Sequence, residues 1–248
     1  MDTRFLGIDV GGSSIKMAVV QAAGTAVQML PTLAMPQPST PSAVLDLIAL
    51  HGSSQAIAAA GLAFPTVVKQ GRARTTAHVD PAWQGVDGAA ELRVRLNCPV
   101  TFLNDADAAG IAEMRVGAGR DLKGVIIMLT FGTGIGTALF VDGRLLPNTE
   151  LGHLLMRGGD SEDWASARAR TRDQLDFPAW AARVNEYLDL LQRLFWPDVF
   201  IVGGGVSDHF DQFGPLLKSP ADIVPAHFRS QAGVIGAALA AADAIELT

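Results

Sequence analysis

The stretch Leu103-Asn104-Asp105-Ala106-Asp107-Ala108-Ala109-Gly110 joins an apolar run to a segment of small, helix-favouring residues. It predicts a strand that ends near Leu103 and a helix over residues 106–116. Asn104 and Asp105 lie at this junction, where side-chain oxygens cap a helix and the helix dipole favours a carboxylate. Such junctions are also where open α/β sheets bind ligands. Capping is the simpler interpretation of an isolated Asn-Asp pair, so a functional role depends on the other motifs.

Composition limits the class of protein. The chain has 248 residues, a net charge of −6, a sequence pI of 5.3 and a mean hydropathy of +0.26. The acidic balance argues against nucleic acid as the main partner, and no apolar run reaches the roughly 18 residues that a membrane span needs. The N-terminus does not resemble a signal peptide, which predicts a cytoplasmic protein. With Cys98 as the single cysteine, neither an internal disulfide nor a cysteine-rich zinc site is expected.

Two glycine-rich turns occur in matching surroundings. The first, Gly11-Gly12-Ser13-Ser14, joins a predicted strand over 5–10 to another over 15–21, and the second, within 131–137, joins strands over 125–130 and 138–141. Consecutive N–H groups in such turns bind anions. The P-loop spacing is absent and a strand follows each turn, which disfavours a Rossmann unit. One such turn is typical of an ordinary hairpin, but the matched pair indicates a duplicated structure.

The rest of the chain alternates predicted helices with predicted strands, which indicates an α/β fold. The predicted helices span 42–50, 91–96, 180–196 and 231–246, and the predicted strands span 56–64 and 199–202. Glu150 and His153 are three residues apart, so both can face one ligand and bind its hydroxyl groups. No third metal ligand follows them at a suitable spacing.

Taken together, these motifs resemble the ROK family of actin-like sugar kinases, and within it the polyphosphate glucokinase branch. Residues 7–16 resemble the first phosphate motif, 129–136 the second, and 103–113 the catalytic Asn-Asp segment. Residues 148–153 resemble the ExGH sugar motif, 201–207 the adenosine-side motif, and 232–238 the C-terminal helix. Most ROK members carry a cysteine-rich zinc site after ExGH. This sequence lacks that site, and the polyphosphate branch lacks it too.

The resemblance implies a two-lobed actin-like (ribonuclease H-like) α/β fold, with duplicated domains that contain β-hairpins and a cleft between them. The expected small N-terminal lobe spans residues 1–103 and is joined by the C-terminal helix 231–248. The expected large C-terminal lobe spans residues 104–230. A homodimer is expected by the same resemblance.

The resemblance also implies phosphoryl transfer from inorganic polyphosphate, ATP or both to the 6-hydroxyl of glucose. Asp105 is implied as the catalytic base, and Asp9 as the residue that holds Mg²⁺ through water. The implied sugar-binding residues are Asn104, Asp105, Glu150, His153 and Glu162. The implied phosphate-binding residues are Asp9, Gly11, Gly12, Ser13, Ser14, Lys16, Thr130, Gly132, Thr133, Gly134 and Gly136. The implied donor or nucleotide side consists of Gly203, Gly204 and Gly205.

Two alternatives stay open. One is a strictly ATP-dependent ROK glucokinase, or a hexokinase for another hexose, because the three consecutive glycines give adenine room. The other is a sugar-binding protein without turnover. Residues 154–157, Asp208 and residues 229–231 depart from the pattern of the polyphosphate branch, and these departures bear on the choice of donor.

Overall fold

The computed structural model describes residues 3–76 and 79–246. Residues 1, 2, 77, 78, 247 and 248 lie outside this description, so the first two residues of the predicted N-terminal lobe and the last two of the predicted helix 231–248 are not covered. The described chain forms two compact units. The first contains the residues up to Ala112 and those from Gln231 onward, and the second contains Glu113–Ser230.

Strands and helices alternate along the described chain, as the sequence predicts. The strands are β1 (Arg4–Val10), β2 (Ser14–Gln21), β3 (Ala26–Met29), β4 (Leu33–Ala34), β5 (Ala59–Phe64), β6 (Val68–Lys69), β7 (Arg72–Ala73), β8 (Val100–Asn104), β9 (Val125–Phe131), β10 (Ile135–Val141), β11 (Arg144–Leu146), β12 (Leu155–Met156), β13 (Gly159–Asp160), β14 (Val199–Gly203) and β15 (Asp222–Pro225). The α-helices are α1 (Pro41–Gly52), α2 (Gly88–Leu96), α3 (Asp105–Val116), α4 (Ser161–Ala165), α5 (Ala167–Arg172), α6 (Phe177–Phe195), α7 (Phe210–Phe213) and α8 (Ala232–Glu246).

The main sheet of the first unit has the order β3-β2-β1-β5-β8, with β4 paired to β2. Strand β1 pairs antiparallel with β2 and parallel with β5, and β5 pairs parallel with β8. All six residues of β5 are buried, as expected for a central parallel strand with both faces covered. The carboxyl ends of β1, β5 and β8 therefore lie along one edge of this sheet.

Helix α8 packs directly on this sheet, because glycines on the strands leave room for its backbone. A Cβ atom on Gly7 would lie 1.8 Å from the carbonyl oxygen of Val234, and a Cβ atom on Gly61 would lie 1.8 Å from that of Ala237. The helix is rich in alanine, which keeps its own side chains short. Helix and sheet therefore pack more closely than larger residues allow.

The second unit repeats this arrangement, with the strand order β11-β10-β9-β14-β15. Strand β9 pairs antiparallel with β10 and parallel with β14. Each sheet thus contains an antiparallel hairpin that is followed by parallel strands, and the duplication predicted from the two glycine-rich turns is confirmed. The core of this unit contains the fully buried side chains of Trp180 and Phe213, whose rings meet edge to face at 5.0 Å.

The predicted helices and strands are found in order, but some of their bounds were wrong. The strand predicted over 56–64 begins only at Ala59, the strand predicted over 138–141 begins already at Ile135, and two helices begin three residues earlier than expected. Helix α6 begins at Phe177 rather than at residue 180, because the Asp176 carboxylate accepts a hydrogen bond from the Ala179 amide at 2.9 Å. Helix α2 begins at Gly88, where Asp87 accepts from the Ala90 amide in the same way. Among the described residues, no helix is long and apolar enough to cross a membrane.

Candidate active site

Asn104 is the last residue of β8, and it caps helix α3. Its Oδ1 atom accepts hydrogen bonds from the amides of Ala106 at 2.8 Å and Asp107 at 3.0 Å. Its Nδ2 atom donates to the carbonyl oxygen of Thr66 at 3.2 Å. Because the side chain is only 7% exposed, these bonds fix the point where strand becomes helix. The capping role expected for this residue is confirmed.

Asp105 is the first residue of α3, and the cap holds its backbone in place. Its Oδ1 atom accepts a hydrogen bond from the Ala106 amide at 2.8 Å. A carboxylate at this position is favoured by the N-terminal end of the helix dipole. Because β1, β5 and β8 are parallel neighbours in one sheet, Asp9, near the end of β1, and Asp105, directly after β8, lie at the same carboxyl edge of that sheet.

Asp9 lies near the end of β1, directly opposite Lys16 on β2. The pKa of Asp9 is raised from 3.8 to about 6, mainly by burial and then by the negative charge of Asp105, while the positive charge of Lys16 opposes the shift. Asp9 and Asp105 are therefore close enough for their charges to interact. A Cβ atom on Gly233 would lie 2.8 Å from Asp9 Oδ2, so the start of α8 also packs against this carboxyl group.

The first glycine-rich turn follows Asp9. The Gly11 amide donates to the carbonyl oxygen of Ser14 at 2.9 Å, which closes the turn. Gly12 and Ser13 at its tip are exposed, and a Cβ atom on Gly12 would meet nothing within 4 Å. The structure therefore brings Asp9, the turn and Lys16 together, with an open approach to the backbone of the tip.

The second turn, between β9 and β10, is braced by an acidic side chain. The Gly132 amide donates to the carbonyl oxygen of Gly134 at 3.0 Å. Glu162, which is 7% exposed, accepts a hydrogen bond from the Ile135 amide at 3.1 Å. A Cβ atom on Gly134 would lie only 2.2 Å from Glu162 Oε2. Glu162, expected to bind sugar, thus also supports the turn expected to bind phosphate, with Thr133 exposed at its tip.

Glu150 and His153 lie together in the second unit. Glu150 precedes a single helical turn, Leu151–His153, and His153 is its last residue. His153 Nδ1 is 2.7 Å from Asp160 Oδ2, and His153 Nε2 is 3.7 Å from Glu150 Oε2. The hydrogen bond with Asp160 is the main cause that raises the pKa of His153 above its ordinary value, with further contributions from the charges of Glu162, Asp160 and Glu150. The structure therefore groups Glu150, His153 and Glu162, and it adds Asp160.

This group is anchored to β10 by tight local contacts. The Thr137 hydroxyl donates to the carbonyl oxygen of Thr149 at 2.7 Å and accepts from the Leu151 amide at 3.2 Å. A Cβ atom on Gly152 would lie 2.4 Å from the carbonyl oxygen of Ile135. The glycine of the Glu-x-Gly-His sequence is therefore needed for steric reasons. A side chain at Gly152 would prevent this turn from packing against the start of β10, just after the second glycine-rich turn.

Gly203, Gly204 and Gly205 follow β14 beside the end of β9. Gly204 has a φ of +82°, and a Cβ atom there would lie 2.5 Å from the carbonyl oxygen of Phe131. Ser207 closes this turn, since its hydroxyl donates to the carbonyl oxygen of Gly204 at 2.6 Å. The glycines expected on the donor side thus lie against the strand that carries Thr130, next to the second glycine-rich turn.

The carboxyl group of Asp9 fits the chemistry of a magnesium ion held through water. Carboxylate oxygens are hard ligands, and Mg²⁺ characteristically keeps several of its waters, so few protein ligands are needed. A divalent cation would also offset the mutual repulsion that contributes to the raised pKa of Asp9. Within residues 3–76 and 79–246, no group of three or more His, Cys, Asp or Glu side chains is arranged to hold a metal ion.

Sequence reasoning missed two residues that shape these groups. Asp160 is not predicted, because only the short β12–β13 hairpin brings it next to His153. Thr66, which accepts from Asn104, is 38 positions away from it in the chain. Neither contact has a periodic signal, although the capping pattern at Asn104 was visible.

Comparisons with known proteins place these features in a family. A profile described as the ROK family matches residues 5–171. The polyphosphate glucokinase of Mycobacterium tuberculosis is 42% identical over 242 residues, covering 94% of this chain and 89% of that protein. A glucokinase of Streptomyces coelicolor is 29% identical over 94% of this chain and 96% of its own length.

Solved structures agree with the family match. The crystal structure of the inorganic polyphosphate/ATP-glucomannokinase from Arthrobacter sp. strain KM has a TM-score of 0.91 and 39% identity, covering 98% of this chain and 99% of that one. The ROK family glucokinase from Streptomyces griseus, in complex with glucose and AMPPNP, shares the fold with a TM-score of 0.83 at 24% identity, over 97% and 99% of the two chains. The two-domain actin-like fold is confirmed, and the chain belongs to the ROK family.

Proposed function

We propose that this protein is a sugar kinase that transfers a phosphoryl group from inorganic polyphosphate, ATP or both to the 6-hydroxyl of glucose. The observation that carries this proposal is the close likeness, over nearly the whole chain, to the polyphosphate glucokinases and the polyphosphate/ATP-glucomannokinase. The product is glucose 6-phosphate, and the donor is left one phosphate shorter.

In the proposed reaction, Asp105 accepts the proton of the 6-hydroxyl. The sugar oxygen forms a bond to the terminal phosphorus as the bond from phosphorus to the bridging donor oxygen breaks. Phosphoryl transfer needs mainly positioning and charge stabilisation, and its loose transition state requires little early proton transfer. The Asn104 cap supports this role, because it fixes the start of α3, and with it the backbone of Asp105, before the substrate binds.

The proposed sugar contacts come from Asn104, Glu150, His153 and Glu162. Carboxylate oxygens accept from sugar hydroxyls, and a protonated imidazole donates to them. The raised pKa of His153 supports a donor role. One amide hydrogen of Asn104 binds Thr66, so a sugar contact would use the second.

The proposed phosphate contacts come from the backbone amides and side chains of the two glycine-rich turns. Amides in such turns bind oxyanions without needing a mobile side chain. Lys16 adds a positive charge beside Asp9. The residues proposed for phosphate are Asp9, Gly11, Gly12, Ser13, Ser14, Lys16, Thr130, Gly132, Thr133, Gly134 and Gly136.

We also propose that Asp9 holds Mg²⁺ through bound water. When bound, the ion would offset negative charge on the donor phosphates. Asp9 supports this role because it is partly buried and its pKa of about 6 leaves it ionised near neutral pH.

The Asp105→Asn variant tests the proposed base. It keeps the size of the side chain but cannot accept the proton, so we expect glucose phosphorylation to fall by about 10²–10⁴-fold, the usual worth of a general base. A coupled assay for glucose 6-phosphate measures turnover, and the melting temperature reports the fold. Asp46→Asn, which removes an exposed partner of Arg95, is the control and should keep its turnover. Near-normal turnover of Asp105→Asn would remove Asp105 from the mechanism.

A strictly ATP-dependent glucokinase is the second candidate. It is favoured by the Gly203–Gly205 turn, whose third glycine has open space at its Cβ position.

A homodimer is proposed in addition, supported by the exposed side chains of Leu194 and Trp196 at the end of α6. Light scattering at several protein concentrations measures the mass in solution.

A further inference from the structure

Glu113, near the end of α3, is a buried carboxylate that no step above uses. Its side chain is 0% exposed. Oε2 accepts hydrogen bonds from the amides of Ala118 at 2.8 Å and His227 at 2.9 Å, and Oε1 accepts from the amide of Phe228 at 2.8 Å. One carboxylate therefore binds three backbone amides, two of them more than 100 positions away in the chain.

The segment that Glu113 holds lies beside the glycine turn after β14. The Ala226 amide donates to the carbonyl oxygen of Val202 at 2.8 Å, and a Cβ atom on Gly203 would lie 3.2 Å from the Cβ of Ala226. The next two residues are His227 and Phe228, whose rings meet edge to face at 4.7 Å. The Gly203–Gly205 turn and residues 226–228 are therefore direct neighbours.

The following residue adds a second link to the same turn. Arg229 has a φ of +48°, a conformation that costs a residue with a side chain about 1 kcal/mol. Its guanidinium lies 3.8 Å from the carboxylate of Asp208, in the helical turn that begins at Gly205. A weak exposed ion pair does not hold a strained backbone by itself. The two residues just before Arg229 are held in addition by their amide bonds to Glu113.

We infer that Glu113 is a positioning residue for the donor, which fixes residues 227–229 beside the Gly203–Gly205 turn so that they contact the nucleoside part of ATP. This inference rests on the proposed function. Phosphate groups bound by the glycine-rich turns do not need this segment, but a donor that extends beyond its phosphates does. Glu113 should therefore affect the binding of ATP but not the binding of tripolyphosphate, which has the same number of phosphates and no nucleoside.

The Glu113→Gln variant tests this selectivity. The amide keeps the shape of the side chain but replaces one acceptor oxygen with an NH₂ group, so one of the three backbone amides loses its acceptor. We expect the KM for ATP to rise by about tenfold, which corresponds to the loss of one such hydrogen bond. The KM values for tripolyphosphate and for glucose should stay within about twofold, because uniform binding of those substrates is unchanged.

A second variant covers the case in which Glu113→Gln does not fold. Phe228→Ala removes a half-buried side chain from the held segment and leaves the buried carboxylate intact. It should show the same selective rise in the KM for ATP.

Asp198→Asn is the matched control. Asp198 Oδ2 also accepts from a backbone amide, that of Val125 at 2.7 Å, but at the opposite ends of β9 and β14 from the glycine turn. This variant should lower the melting temperature without changing the ratio of the two donor KM values. A purely structural role for Glu113 would give the same result as this control, and that result would overturn the inference.

Direct binding separates this inference from the proposed function. ADP binding is measured by calorimetry on the full chain, and both Glu113→Gln and Phe228→Ala should weaken it by about tenfold. If the wild type forms no sugar phosphate, the proposed function fails while the ADP measurement still tests Glu113. If the wild type does not bind ADP, or if both variants bind it as the wild type does, the inference is wrong.

Discussion

Asp9 shows how strongly one residue depends on its surroundings. Its ordinary pKa of 3.8 is raised to about 6, mainly by burial, then by the charge of Asp105, while Lys16 opposes the shift. The folded state therefore binds the proton more tightly than the unfolded state. The stability that this group contributes is fully present below about pH 4 and is lost as the pH rises through about 6.

The Asp9→Asn variant tests this electrostatic cost. It removes the ionisable group, so the free energy of unfolding should rise relative to wild type by about 3 kcal/mol near pH 8 and by about 1 kcal/mol near pH 4.5. Urea unfolding at the two pH values measures the difference, and activity should be lost in the same variant. A gain in stability that is equal at both pH values would show that the shift does not come from ionisation of Asp9.

His153 offers a second test at the residue scale. Because the hydrogen bond that the His153 ring donates to the Asp160 carboxylate is the main cause of its raised pKa, Asp160→Asn should lower that pKa. If His153 donates to a sugar hydroxyl as proposed, the pH range over which it does so should then shift downward, and the KM for glucose should rise at a lower pH than in wild type. NMR titration of the His153 ring measures the pKa directly. Asp163→Asn, on the neighbouring exposed carboxylate, is the control, and an unchanged pKa in Asp160→Asn would contradict this cause.

At the scale of secondary-structure elements, α8 packs closely on β1 and β5 because Gly7 and Gly61 on these strands have no side chains. Gly61→Ala would place a Cβ atom 1.8 Å from the carbonyl oxygen of Ala237, so the helix must move away from the sheet. We expect a loss of stability of about 3 kcal/mol, the upper end of the usual cost of overpacking a core. The melting temperature and the soluble yield measure it. Gly12→Ala, which meets nothing within 4 Å, is the control for stability, and equal melting temperatures would refute the close packing.

Element positions were largely predictable because they follow local patterns. The apolar runs of β1, β9 and β14 and the amphipathic pattern of α6 are each contained in one stretch of sequence. The early starts of α2 and α6 come from capping by Asp87 and Asp176, which the apolar pattern does not include. The hairpin of β12 and β13 has strands of two residues, too short for a periodic signal.

On the scale of the whole molecule, the duplication could be read from sequence because two similar turns occur in similar surroundings. The contacts that complete the candidate site could not be read in this way. Glu162 reaches the Ile135 amide across 27 positions, and Glu113 reaches His227 across 114. Such contacts depend on how a chain folds back on itself, so a single sequence without structure gives no local sign of them. Capping of α3 by Asn104 was predictable because donor and acceptor are adjacent.

The formation of glucose 6-phosphate by the purified wild-type chain, with glucose and either long-chain polyphosphate or ATP in the presence of Mg²⁺, tests the proposed activity most directly. We predict that this product accumulates with at least one of the two donors and that the donor loses one phosphate per sugar. Formation with ATP alone would select the strictly ATP-dependent alternative. The absence of any sugar phosphate with both donors would contradict the assignment of this chain as a kinase.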